Sequence, residues 1–209
     1  MGIKEKASKG IRGIKEESKV IKGEKSKDKK YSSSKDFTEE ESAKLAFGEC
    51  KMKLFDVNSW SNSGGIATAA FELYSRDGYS LTRERVEKGD FIKIDLPGPL
   101  PFYWVRVIEI ADGEDSAQFI VQPSYDPTRR EDTTATDHFF QDQARSIFRV
   151  ERNGQEITAM EIGLNEAINN RDSEAGQKGL INTLVSEGGW AGFQKYQWKS
   201  LTDYLVGIR

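Results

Sequence analysis

The sequence predicts an α+β fold, in which an antiparallel β-sheet of about six to seven strands is combined with a long C-terminal α-helix and preceded by a disordered basic tail. Three observations carry this expectation. All 22 aromatic residues lie from Tyr31 onward, and the first thirty residues carry eleven basic and five acidic side chains, a charge of +6 that leaves −9 for the rest of a chain with net charge −3. Strong turn dipeptides, Asp77-Gly78, Asp112-Gly113 and Asn153-Gly154, separate runs of alternating apolar and polar residues. Near the C-terminus the apolar spacing changes from two residues to three or four.

Taken in order, residues 1–36 read as a Lys/Ser-rich tail. The isolated Ile3, Ile11, Ile14, Val20 and Ile21 bury too little apolar surface to offset the entropy of ordering the chain. Residues 37–209 read as one domain, long enough for a single core. From Lys44 the pattern changes to strand-like segments separated by turn dipeptides. Ala69, Phe71 and Leu73 alternate with polar neighbours ahead of Asp77-Gly78, and Ile92, Ile94 and Leu96 do so after Gly89. Tyr103–Ile110 and Ala117–Val121 flank Asp112-Gly113. Ser146, Phe148 and Val150 precede Asn153-Gly154, and Ile157–Leu164 follows it with a mixed pattern that suits a bulge. Gly163-Leu164-Asn165-Glu166 reads as a strand end turning through residues tolerant of positive φ. The connection from Gln122 to Gln143 is long enough to be a functional loop. Asp172 or Ser173 can cap a helix with Leu180, Ile181, Leu184 and Val185 on one face. After Gly188-Gly189, the residues Trp190, Phe193, Gln197, Leu201 and Leu205 follow helical spacing.

Composition removes several function classes. One cysteine, Cys50, excludes an intramolecular disulfide and a thiolate metal cluster, and one histidine, His138, excludes two-histidine metal motifs. No cofactor or metal is expected: phosphate-binding glycine loops and the Gly-x-Ser-x-Gly nucleophile turn are missing from the sequence. Without a long apolar run or a secretory signal, a cytoplasmic protein with no transmembrane segment is expected. The acidic body opposes phosphate approach, so nucleic acid is not expected as a partner except through the tail.

An opening strand, short helical segments, an antiparallel sheet and a long closing helix together resemble the helix-grip fold of the START-like (Bet v 1-like, polyketide-cyclase-like) superfamily. The resemblance makes Ala46–Lys51 the expected first strand; the stretch Leu54-Phe55-Asp56-Val57-Asn58-Ser59-Trp60 is similar to one that follows that strand there, and Trp198–Leu205 is similar to the closing helix. The resemblance spans residues 44–209. It implies a curved sheet wrapped around the terminal helix, with a cavity between them that holds lipids, hormones or polyketide-like molecules. Ligand-pocket candidates are then Trp60, Trp104, Phe119, Phe148, Met160, Trp190 and Phe193, with Arg106 and His138 as polar groups, although ordinary core packing also accounts for the apolar ones. Arg106 and Glu161 suit a cross-strand ion pair. Glu161 and Glu166 are not expected to form a site, because nothing in the sequence places them together.

The reading that follows is a small non-catalytic domain that binds a hydrophobic small molecule. The alternative is an interaction protein with a filled core, whose basic tail contacts an acidic partner. A cyclase- or hydrolase-like reaction would depend on His138. Oligomeric state and ligand identity are not encoded in any motif.

Overall fold

The computed structural model describes residues 27–64, 68–97, 102–129, 143–166 and 189–208. Seven strands form one antiparallel sheet in the order β1-β7-β6-β5-β4-β3-β2. They are β1 (Lys27–Asp36), β2 (Ala70–Tyr74), β3 (Phe91–Asp95), β4 (Phe102–Asp112), β5 (Ser116–Pro123), β6 (Arg145–Asn153) and β7 (Glu156–Glu166). Helix α1 (Glu40–Phe55) and a 3-10 helix (Val57–Asn62) carry the chain from β1 at one edge of the sheet to β2 at the other. Helix α2 (Gly189–Leu205) closes the fold by packing on β1 and β7. This is the helix-grip arrangement.

Two sequence expectations are corrected here. Ala46–Lys51 is helical, because Ala43, Phe47, Cys50 and Leu54 recur at the three- and four-residue spacing of α1 and are buried together. Glu40 and Glu41 in its first turn and Lys53 in its last complement the helix dipole. The first strand instead lies at Lys27–Asp36, inside the segment expected to be a disordered tail, so the domain begins before residue 37. That strand has one sheet neighbour, and its inward side chains are anchored by polar bonds. The Ser33 hydroxyl lies 2.7 Å from the Thr202 hydroxyl and donates to Asp203 Oδ1 at 2.7 Å, while Lys35 Nζ donates to the Gly207 carbonyl at 3.0 Å. Its lysines also discourage edge-to-edge pairing with other chains. Residues 1–26 lie outside the described residues.

The six alternating runs after residue 66 all form strands, β2 to β7. The turns differ in detail from the expected pairs. Between β6 and β7 the two-residue turn is Gly154-Gln155, with Gly154 at φ 61°, as a type II′ turn requires. Asp112 is the last residue of β4, and the turn closes through Gly113 N–H to the Ser116 carbonyl at 2.8 Å. The expected bulge near Ala159 and Met160 lies further along. Pairing of β1 with β7 is regular to Gly163 and then shifts by one residue before Glu166. Asn165 adopts φ 54° at this shift and donates its N–H to Asp28 Oδ1 at 2.9 Å. The capping helix proposed around 172–185 and most of the 122–143 loop lie outside the described residues.

The core fills the concave side of the sheet. Trp60 is fully buried, with ring centroids 5.4 Å from Phe71, 5.6 Å from Phe119 and 4.8 Å from Phe148, and its indole N–H donates to the Lys53 carbonyl at 2.9 Å. Leu201 and Leu205 of α2 complete this cluster. The helix ends in a Schellman motif: Gly207 N–H donates to the Tyr204 carbonyl, Ile208 N–H donates to the Asp203 carbonyl, and Gly207 supplies the left-handed φ of 68°.

Candidate functional site

Alternation along the strands sends one set of side chains beneath α2, and there the packing is incomplete. A cavity of about 70 Å³, about 630 Å³ when its opening to solvent is included, lies between the sheet and the helix. Tyr103, Val105, Val121 and Phe148 form its floor, Ile94 and Leu96 its side, and Phe193 and Trp198 its roof. Burial drives the Tyr103 phenol upward, so it remains protonated. Ser146, Glu166, Gln194 and Gln197 supply the polar part of the wall.

The polar end follows from strand register. Lys29, Gly163 and Ser146 face one another across β1, β7 and β6, and the next row toward the core is Tyr31, Glu161, Phe148 and Phe119. In a regular strand residue 166 would leave on the opposite face from 161 and 163. The extra residue at the bulge reverses this and brings Glu166 inward. Its side chain folds back over Gly163, where an added Cβ would sit 2.3 Å from Glu166 Oε1. Lys29 Nζ lies 3.6 Å from Glu166 Oε2 and donates to Gln194 Oε1 at 2.6 Å, and Gln194 Nε2 donates to Glu166 at 3.4 Å.

Beside this bonded group lies a carboxyl with less support. Glu161 is 1% exposed, and its carboxyl oxygens make no hydrogen bond of good geometry among the described residues, although the neighbouring Ser146 hydroxyl acts on it as a donor. Burial, reinforced by the neighbouring Glu166 carboxylate, pushes it well above the ordinary carboxyl value; the nearby Ser146 hydroxyl and Lys29 ammonium pull weakly the other way. Gln197 accepts the Ala69 N–H at 2.6 Å, whereas its own Nε2 and the Trp198 indole N–H find no acceptor among the described residues. The cavity wall thus carries unmet donors within an apolar shell, with the buried Glu161 carboxyl lying behind it.

The sequence-predicted candidates separate into groups. Phe148 and Phe193 line the cavity. Trp60 and Phe119 sit beneath it in the core. Trp104 and Arg106 alternate with the lining residues Tyr103 and Val105, so they leave β4 on the other face, where Trp104 packs against Tyr74 at 4.9 Å. Met160 likewise points away from the face that carries Ala159 and Glu161. No Arg106–Glu161 pair forms, because β5 and β6 separate their strands and the side chains take opposite faces. The side chains of His138 and Trp190 lie outside the described residues. Sequence reasoning missed Lys29, Gln194 and the Glu161–Glu166 pairing. The tolerance of Asn165 for positive φ was visible but was taken for a turn at the strand end, so the bulge there and its effect on Glu166 were missed.

Solved structures similar to this chain share little sequence with it. A hypothetical protein, jhp0584 from Helicobacter pylori, matches over 90% of this chain and 92% of its own at 11% identity, with a TM-score of 0.49. Ginseng major latex-like protein 151 from Panax ginseng matches over 79% and 97% at 14% identity and a TM-score of 0.39. Norcoclaurine synthase from Thalictrum flavum does so over 89% and 88% at 9% identity and 0.40. By its order of elements and strands, the fold is Bet v 1-like. No protein-family profile and no curated sequence matches the chain. Among the described residues no helix is long and apolar enough to cross a membrane.

Proposed function

We propose that the protein binds a largely apolar small molecule, without catalysis, in the cavity between the sheet and α2. The observation that carries this reading is the cavity itself: an apolar floor and roof with a few polar groups gathered at one end. Such a lining fits ligands whose body is held by burial and whose orientation is fixed by one or two hydrogen bonds. Gln197 Nε2 and the Trp198 N–H offer donors to a hydroxyl or carbonyl on the ligand. The interaction-protein alternative depends on residues 1–26, outside the described residues.

The test is titration with prodan, an uncharged apolar dye with a carbonyl end, followed by fluorescence. One saturable site is expected. Val121→Phe fills the cavity floor and is expected to weaken binding at least tenfold while leaving the thermal transition in place. Undiminished binding by a folded Val121→Phe protein would place the dye elsewhere and refute the reading.

A further inference from the structure

The cavity wall carries two hydrogen-bond donors that nothing among the described residues satisfies, Gln197 Nε2 and the Trp198 indole N–H. Chemistry fixes which end of the Gln197 amide is left over. The Ala69 N–H donates to it at 2.6 Å, and a backbone N–H can bond only the oxygen end, so Nε2 is the end without a partner. Gln197 is 2% exposed, and contacts of the Trp198 ring with Phe71 at 6.4 Å and Phe148 at 5.6 Å keep that side chain under the helix. Resting on the small-molecule reading above, we infer that the cavity selects an uncharged apolar molecule bearing a carbonyl oxygen, which accepts hydrogen bonds from Gln197 and Trp198 at the roof while the rest of the molecule lies over Val105, Val121 and Phe148.

The charges around the wall disfavour ionic ligands. Glu166 is already matched by Lys29 at 3.6 Å and accepts from Gln194 at 3.4 Å, so a ligand ammonium or carboxylate would enter as an uncompensated buried charge. Glu161 lies behind the wall, and the Ser146 hydroxyl is spent on it as a donor. What remains unmet is donors, and donors need an acceptor. A carbonyl oxygen has two lone pairs and no proton of its own, which complements two N–H groups. An alcohol also accepts, but it brings a proton that needs an acceptor, and Glu166 is already engaged by Lys29 and Gln194. A hydrocarbon of the same shape leaves both donors unpaired in a buried wall, which costs affinity relative to a ligand that pairs them.

Equilibrium dialysis of the full chain with 2-acetylnaphthalene and with 2-isopropenylnaphthalene, in which a CH2 group replaces the carbonyl oxygen, reads the contribution of that oxygen. The ketone is expected to bind about tenfold more tightly than the hydrocarbon, and by a similar factor more tightly than 2-naphthoate and 2-naphthylmethylamine. The alcohol 1-(2-naphthyl)ethanol is expected to bind more weakly than the ketone. In the infrared, the C=O stretch of the bound ketone should lie below its position in hexane, as a hydrogen-bonded carbonyl requires. Trp198→Phe keeps a ring against Phe71 and Phe148 but removes the N–H, and should move the stretch back toward the hexane position and weaken the ketone more than the hydrocarbon. Equal binding of ketone and hydrocarbon, binding of the alcohol or either ion as tight as that of the ketone, or a C=O stretch at its hexane position overturns the carbonyl assignment while leaving the cavity reading intact. Failure of all these ligands and of prodan to bind overturns both readings. The ligand series and the infrared spectrum are measured on the unsubstituted protein, so the inference stays testable if Trp198→Phe does not fold.

Discussion

Gly163→Ala tests how the polar end is built. The new Cβ would lie 2.3 Å from Glu166 Oε1 and 2.8 Å from its Cδ, closer than any side chain tolerates. These are the far atoms of a flexible side chain, so the strand keeps its course and the carboxylate moves. Moving it breaks contact with Lys29, an ammonium only 11% exposed. A buried ion left with no partner costs roughly 3–5 kcal/mol, but Lys29 keeps its bond to Gln194, which lowers the expected loss to about 2 kcal/mol. Alanine is better than glycine inside a strand by roughly 0.5–1 kcal/mol, leaving a net destabilisation of about 1 kcal/mol. Urea unfolding of four proteins, the parent, Gly163→Ala, Glu166→Ala and the double variant, measures the coupling. With Glu166 already truncated, the alanine at 163 meets no carboxylate and should be neutral or stabilising, giving a coupling energy of about 2 kcal/mol. Strict additivity of the two substitutions would show that Glu166 does not depend on the space over Gly163.

Three further outcomes follow from the same geometry. Glu161 binds its proton more tightly folded than unfolded, so the folded state holds the extra proton above the ordinary value of 4.5; stability should fall as pH rises from there, by at most about 1.4 kcal/mol per unit, until Glu161 ionises in the folded state, and Glu161→Gln should remove this slope in urea titrations across pH. Gly207→Ala places a side chain at φ 68° with its nearest neighbours at 3.7 Å, so backbone strain without a clash should cost about 1 kcal/mol by thermal unfolding. Trp60→Ala removes a fully buried ring that contacts three aromatic neighbours, and should cost roughly 3–5 kcal/mol in equilibrium unfolding.

Legibility in the sequence tracked how each segment is stabilised. Strands β2 to β7 bury apolar side chains in alternation, and α2 buries Leu201 and Leu205 four residues apart, so both periods were readable. Strand β1 was hidden because Lys29, Ser33 and Lys35 face inward and are satisfied by hydrogen bonds to α2 and the turn that follows it, leaving a basic, serine-rich run with no apolar alternation. In α1, the strand expected at Ala46–Lys51 came from the resemblance and not from periodicity, so the helical spacing of Ala43, Phe47, Cys50 and Leu54 went unused. Phe148 and Phe193 were found at the cavity because large apolar residues at the right spacing face inward by default. Trp104 was misplaced because both faces of β4 are apolar near it, and composition alone does not say which face meets the helix.

By itself the sequence determined the sheet-and-helix composition of the domain, since burial of alternating or helically spaced apolar residues is a local property of the chain. The tertiary structure decided the polar end of the cavity. Lys29 and Glu166 are 137 residues apart and meet only because β1 pairs with β7 and a one-residue bulge turns Glu166 inward. The poor bonding of Glu161 likewise depends on which donors three strands and a helix bring within reach, and a count of charges along the chain carries none of that geometry.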